Sequence, residues 1–308
     1  MKIKKLKIRC LCILVLIVLC IASVFLYGKT KVAAASVTET MPCVTEQTEE
    51  EQSDETIREN TKESQKGIGI QIGKQTKITK YLSGKFIKKE GIRYFKKKDG
   101  SLARNCFFTN KKDVYHVNSK GVVSTGWKKL KGHYYFFDRK TGRLRRNTEA
   151  DNIRILKTGI AKETRLNLSR IEVYMEAQKI VNTVSKPSDS KAAKLLKCYK
   201  WMKPFPYKQF RTMRTAKSRH PEDWDIVFAN DIFKEHRGCC ASEACAFAYL
   251  AKVCGYEKVT ICSDTGHAWV DIDGRLYDPL FAEARSFSKN YNAAYTDYRK
   301  HPAYTKKL

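Results

Sequence analysis

The sequence predicts an α+β chain in which a module of β-hairpin repeats precedes a mixed helical and stranded domain. Two patterns lead there. Aromatic residues and glycines recur every 21 residues between about 81 and 161. From residue 166 onward, runs of helical periodicity give way to short strand-like runs. At 308 residues the chain has room for about two domains. The expected division is 1–35 as a signal peptide or membrane anchor, 36–80 as a disordered acidic linker, 81–161 as the repeats and 166–308 as the C-terminal domain.

Lys2, Lys4, Lys5, Lys7 and Arg9 precede an apolar run of 18 residues from Cys10 to Tyr27, and Ala33-Ala34-Ala35-Ser36 follows. A basic start, an apolar middle and an A-x-A step make a secretory signal. The run is also at the edge of what spans a bilayer, so an uncleaved N-terminal anchor is the alternative. In either case the remainder is expected outside the cytoplasm. Residues 36 to about 67 are rich in Thr, Glu, Gln and Ser and poor in large apolar side chains. Such a segment cannot bury enough surface to fold, which predicts a disordered linker.

Net charge is +28 and unevenly spread. Residues 36–64 hold nine acids and two bases, whereas 66–165 hold 27 bases and seven acids. The basic middle is the electrostatic footprint. In an exported chain it points to an anionic cell-wall polymer, a glycan or lipid headgroups rather than nucleic acid. Membrane contact is expected only if the N-terminal segment stays uncleaved.

Within the repeats, Tyr94, Tyr115 and Phe136 are in step, as are Gly100, Gly121 and Gly142, and Leu102, Val123 and Leu144. Each copy runs from an aromatic pair through a polar stretch ending in Gly to an apolar residue. Aromatics favour strands, and the Asp-Gly, Lys-Gly and Thr-Gly steps are read as the hairpin turns. Units of this length bury their faces only against neighbours. Thr125-Gly126-Trp127 and Tyr134-Tyr135-Phe136-Phe137-Asp138 resemble the choline- and glucan-binding-like cell-wall-binding repeats of Gram-positive surface proteins. That resemblance implies stacked hairpins on a cell wall, and, in members that bind choline, aromatic cages between copies. Strict 21-residue register puts Cys106 and Lys85 opposite Trp127, with Phe107 and Phe86 one residue further on, and His116 replaces an aromatic.

Leu166 to about Lys186 is helical in period, with Ile171, Tyr174, Ala177 and Val181 on one face. Pro187 ends that run, Ser188 to Ser190 cap the next, and Ala192 to Met202 continue as a second helix. Trp224 to Lys234 predicts a third. Cys240 to Cys254 predicts a fourth, with Gly255 as its C-terminal cap. Its many alanines imply close approach to other backbone. Lys258 to Cys262, His267 to Ile272 and Arg275 to Tyr277 are read as strands, with Asp273-Gly274 as a hairpin turn.

Three residues in this domain carry nucleophilic chemistry. A thiol opens the fourth helix at Cys240, where unpaired N–H groups and the helix dipole favour an anion. His267, in Gly266-His267-Ala268-Trp269, can act as general base and acid. Asp278, in Tyr277-Asp278-Pro279, can take the other ring nitrogen and fix the tautomer, with Asp264, Asp271 and Asp273 as competitors. The set resembles the transglutaminase-like cysteine enzymes over about residues 166–285, with Gly238, Cys240 and Ala244 in the register of the family pattern Gly-x-Cys and a following Ala. The resemblance implies a papain-like α+β fold. It also implies a Cys240-His267-Asp278 triad, an acyl-thioester intermediate and a protein or peptide substrate. An aromatic upstream, Tyr207 or Trp224, would assist the backbone N–H of Cys240 in holding the oxyanion.

Eight cysteines remain after the signal, and six cluster in the C-terminal domain, where they are read as mostly reduced core thiols. Cys239 and Cys240 are adjacent, and ~3.8 Å between their Cα atoms is too short for an ordinary bridge. No C-x-x-C pair occurs, so no structural zinc is expected, nor any cofactor. The expected function is an exported, wall-associated cysteine hydrolase. A protein-crosslinking transglutaminase and a non-catalytic wall-binding protein are the alternatives.

Overall fold

The computed structural model describes residues 80–295 and 302–308. The expected signal segment and, apart from residue 80, the acidic linker lie outside the described residues. Among the described residues no helix is long and apolar enough to cross a membrane.

The described chain is mixed α and β and begins with hairpins. A short strand β1 (Lys80–Tyr81) precedes β2 (Gly84–Lys89) and β3 (Ile92–Lys97), β4 (Cys106–Asn110) and β5 (Asp113–Val117), β6 (Gly126–Leu130) and β7 (His133–Phe137), and β8 (Thr148–Ala150) and β9 (Ile153–Ile155). The pairs β2–β3, β4–β5, β6–β7 and β8–β9 are antiparallel across two-residue turns, flanked by Lys89↔Ile92, Asn110↔Asp113, Leu130↔His133 and Ala150↔Ile153, and β1 adds to β4 in parallel. At Glu90 and Gly91 φ is 48° and 83°, and at Asp151 and Asn152 it is 52° and 61°. Positive φ at both central residues is what a turn matching the strand twist needs.

This corrects two sequence expectations. The tight turns are at Glu90-Gly91, Lys111-Lys112, Lys131-Gly132 and Asp151-Asn152, whereas Gly100, Gly121 and Gly142 turn the chain back after each hairpin. There they lead to the isolated bridges Lys96↔Leu102, Val117↔Val123 and Phe137↔Leu144. The register also slips. Counted from the turns, Trp127 lies three residues before Leu130, as Phe107 does before Asn110 and Phe86 before Lys89. Every one of these three copies therefore carries an aromatic there, and Cys106 and Lys85 are not the equivalents of Trp127. Aromatics from neighbouring hairpins then meet, Phe86 with Tyr115 at 4.8 Å and Phe107 with Tyr135 at 5.5 Å between ring centroids.

The rest is helical before it is stranded: α1 (Arg165–Val184), α2 (Lys191–Met202), α3 (Met213–Arg219), α4 (Trp224–Glu235) and α5 (Cys240–Cys254). Then come β10 (Val259–Ser263), β11 (Ala268–Ile272), β12 (Arg275–Tyr277), α6 (Pro279–Ala284), α7 (Phe287–Asn290), β13 (Tyr291–Ala293) and β14 (Tyr304–Lys307). The last five strands form one sheet in the order β13-β12-β11-β10-β14, antiparallel throughout. Helix α5 is the centre of the core: Ala244, Ala246, Ala248 and Ala251 are all 0% exposed. Small side chains let α1, α2, α4 and the sheet approach it closely, as its composition implies. Hairpin β6–β7 belongs to the same core, since Trp127, Tyr134 and Phe136 are buried with Tyr174 and Ala177 of α1.

One buried charge ties four elements of this core together. Asp225 at the start of α4 is 0% exposed and accepts from Arg170 Nη1 at 2.8 Å, Tyr249 Oη at 2.6 Å and Lys306 Nζ at 2.5 Å. The carboxylate thus joins α1, α4, α5 and β14. Burial would push it toward neutrality, but the two cations hold its pKa below the usual value.

Candidate active site

The site forms where the N-terminus of α5 meets β11. Gly238 leads in, because a Cβ there would lie 2.4 Å from Ser242 Cβ and 2.9 Å from Ile232 Cδ1. Its backbone bridges Tyr207 in parallel, and its carbonyl accepts from Lys208 N at 2.8 Å. Cys239 then occupies the N-cap with extended backbone, φ −101° and ψ −177°, and Cys240 is the first helical residue. Cys239 is 5% exposed; Cys240 is half-buried.

The two adjacent thiols pull each other's acidity in opposite directions. The Cys239 thiol is drawn down to about 6, first by its hydrogen bond with the Cys240 thiol and then, against burial, by the N–H groups of Ser242 and Ala241. Cys240 moves the opposite way, well above its usual value, through that same hydrogen bond, burial and the charge on Cys239. The backbone N–H groups of Ala268 and Ala241 oppose that rise. At rest the helix N-terminus therefore favours the anion on Cys239.

His267 immediately precedes β11. Its ring shares a hydrogen bond of 2.5 Å between Nε2 and Asp278 Oδ2, with the two residues 8% and 0% exposed. The ring lies flat on Phe281, centroids 3.9 Å apart and planes 12° apart, and stacks at longer range on Trp269 at 6.4 Å. That places His267 and Trp269 on one side of the strand, as alternation requires. Asp278 is itself anchored, for it caps α6 by accepting from Phe281 N at 3.0 Å.

The competing aspartates have other work. Asp264 accepts from Gly266 N and His267 N at 2.8 and 2.7 Å and so shapes the turn before the histidine. Asp271 accepts from Gly274 N at 3.0 Å, and Asp273 pairs with Lys191 at 3.2 Å. Of the two aromatic candidates, Tyr207, though 57% exposed, has its pKa raised by partial desolvation and then by the nearby charges of the thiols and Glu243. Trp224 lies far from them. Asp231 binds Ser242 and Asp225 binds Tyr249, so α4 runs antiparallel to α5 and Trp224 sits at the Tyr249 end. That is about 13 Å along the helix from Cys240 at ~1.5 Å per residue. There Trp224 packs with Lys217 and Lys306.

Among the described residues no hydrogen bond joins the Cys240 thiol to the His267 ring. The sulfur faces the N–H of Ala268, the next residue along. Of the expected triad, the structure brings His267 and Asp278 into direct contact and sets Cys240 against the neighbouring backbone.

Sequence reasoning missed a polar relay under the thiols. Arg211 donates to both oxygens of Asp231 at 2.7 and 2.6 Å, Ser242 Oγ donates to Asp231 Oδ2 at 2.7 Å, and Ser242 Oγ lies 3.6 Å from Cys239 Sγ. Ser242 and Asp231 are buried polar residues in otherwise apolar helix faces, which is the signal that could have found them. Glu243 is the other omission. Burial, Glu283, Asp278 and Cys239 push its carboxyl up to about 8, so it is mostly protonated at neutral pH.

No protein-family model matches the chain, and no curated protein does. Similar solved structures cover about a quarter of it. The choline binding domain of Spr1274 of Streptococcus pneumoniae is 27% identical over 26% of this chain and 95% of that one, with a TM-score of 0.24. Choline binding protein F of Streptococcus pneumoniae, solved in the presence of a peptidoglycan analogue, is 19% identical over 28% of each chain, with a TM-score of 0.24. The modular Cpl-1 endolysin, complexed with a peptidoglycan analogue, is 17% identical over 27% of this chain and 25% of that one, again with a TM-score of 0.24.

Proposed function

We propose that the chain is an exported, wall-associated cysteine hydrolase of peptide or amide bonds, with Cys240 as nucleophile, His267 as general base and acid, and Asp278 as its orienting partner. The observation that carries this reading is the 2.5 Å bond between His267 and Asp278 beside a thiol pair at a helix N-terminus. The Asp278 carboxylate takes Nε2, which leaves Nδ1 as the nitrogen available to a thiol in this scheme. The Cys240 sulfur attacks the carbonyl carbon and its proton passes to Nδ1. The imidazolium, stabilised by Asp278, returns that proton to the leaving amine. Water, activated by the same ring, then hydrolyses the acyl-thioester and restores the thiol. The N–H groups at the start of α5 and the Tyr207 hydroxyl are the oxyanion donors in this scheme. Catalysis in this scheme needs thiol and imidazole within about 3–4 Å of each other in the substrate complex.

The hairpin module, with its excess of Lys and Arg, would hold the enzyme on an anionic wall. The test is incubation of the chain with wall peptides and with casein, followed by mass spectrometry. Cleaved or deamidated products that vanish in Cys240→Ala and His267→Ala support the hydrolase. Incorporation of a labelled amine would make it a crosslinking enzyme instead. No product in either assay, with the variants indistinguishable from wild type, would overturn catalysis.

A further inference from the structure

The first aromatic step between hairpins is open, whereas the third is closed. At the third step Trp127 is 1% exposed and donates from Nε1 to Asp151 at 2.9 Å. Arg139 fills the space, 4.9 Å over the Phe136 ring and paired with Asp151 at 2.6 Å. At the first step Phe86 and Tyr115 wall a cavity of 390 Å³, whose lining also includes Lys88, Arg93, Thr141 and Arg143. The Arg93 guanidinium lies 5.8 Å over the Phe86 ring and donates to the Thr141 carbonyl at 2.6 Å. A second cavity, of 580 Å³, shares Arg143 and adds Arg145, Arg146 and Lys157. Asp113, 3.1 Å from Arg143, is the one acid lining either cavity among the described residues.

A quaternary ammonium needs a bare ring face and a neutral or negative surround. Here a guanidinium already covers the ring, and the surround is positive. Planar guanidinium groups instead present paired donors to phosphate oxygens. Cations strung through two adjoining cavities match a polymer with regularly spaced charge better than a single ion. We propose that the two cavities form one track for a phosphodiester-linked polyol polymer. Arg93 and Arg143 hold successive phosphates along it. The proposal rests on the wall-associated reading above and narrows its partner to one chemistry.

The experiment titrates the full chain with purified poly(glycerol phosphate) at about 0.15 M salt, where long-range charge is screened. Polygalacturonate, a carboxylate polymer, and choline chloride serve as parallel probes, and wall sedimentation is measured separately. Loss of a charge-assisted contact predicts about tenfold weaker binding for Arg93→Gln and about threefold for Lys88→Gln. Lys88 is exposed, so its variant guards against misfolding in the first. Lys98→Gln removes one exposed charge outside both cavities and should change affinity by less than about twofold. Equal weakening by all three variants, polygalacturonate binding as tightly, or displacement by choline would each overturn the track while leaving wall retention in place. Failure of the wild-type chain to bind either polymer or walls would overturn the wall reading with it.

Discussion

Cys239 caps the helix that Cys240 opens, so one helix terminus serves two thiols whose acidities are pulled apart. The buried thiol sits at the N-cap beside Ser242 Oγ, 3.6 Å away, and the half-buried one stands next to the histidine strand. The acidity of each depends on the other. Removing Cys239 takes away the charge that holds the Cys240 proton, so Cys239→Ala should lower the pH midpoint for alkylation of Cys240. Cys240→Ala should raise that of Cys239 from about 6, because the hydrogen bond from Cys240 is its largest stabilising contact. Alkylation rates against pH, with peptide mapping, measure both. Midpoints that stay put in both variants would show that the thiols titrate independently.

The local signals were legible in the sequence and the long-range ones were not. Helix α5 begins and ends where its thiol and Gly255 predicted, because both boundaries are written in adjacent residues. Helix α3 was missed, for Met213 to Arg219 has no apolar period; its one mark is Thr212, which caps Thr215 N at 3.1 Å. The hairpin register slipped because the aromatic pattern repeats at 21 while the step from Lys112 to Gly132 is 20, and Lys111-Lys112 carries no turn glycine. Strand β14 pairs with β10 from more than 40 residues away, and no sequence pattern near Tyr304 announces its partner. The His267–Asp278 contact was expected from motif order; the Arg211-Asp231-Ser242 relay beneath the thiols depends on helix packing and was not.

Glu243 makes the site sensitive to alkali. Its carboxyl rises from 4.5 unfolded to about 8 folded, so the native state binds the extra proton between those values. Stability from this group is present below pH 4.5 and declines as pH climbs toward 8. The lowered thiol of Cys239 acts in the opposite sense between about 6 and 9. The diagnostic quantity is therefore the difference between wild type and Glu243→Gln, which keeps the shape without the charge. Urea midpoints at pH 5, 6.5 and 8 should show the variant gaining on wild type as pH rises. Parallel curves would mean that Glu243 ionises without penalty.

His116 does the reverse in the hairpins. Counted from the turns, it stands where Phe95 and Phe136 stand in neighbouring copies, 7% exposed, with Nδ1 2.8 Å from Ser124 Oγ. Burial and Lys128 lower its pKa from 6.5 to about 4. The unfolded chain then binds the proton first, so stability from this group is full above pH 6.5 and is lost as pH falls toward 4. His116→Phe should flatten that acid limb and leave stability at pH 7.5 little changed. Thermal midpoints across pH 4 to 7.5 test it, and an unchanged acid limb would assign the loss to other groups.

The buried carboxylate of Asp225 should be the costliest single charge to remove from the fold. Arg170 and Lys306 both bind it, and the side chains of Asp225 and Arg170 are 0% and 8% exposed. Deleting one partner of a buried ion pair leaves the other desolvated and unpaired, which costs about 3–5 kcal/mol. Asp225→Ala strands two cations and the Tyr249 hydroxyl at once, so the upper part of that range is expected. Asp273→Ala provides the contrast, because the Lys191–Asp273 pair is 52% and 41% exposed. Screened surface pairs are worth about 0–1 kcal/mol. Urea unfolding at pH 7, with the slope checked for two-state behaviour, gives both numbers. If the two variants lose the same small amount, the Asp225 network does not bind helices α1, α4 and α5 to β14 in the way its geometry implies.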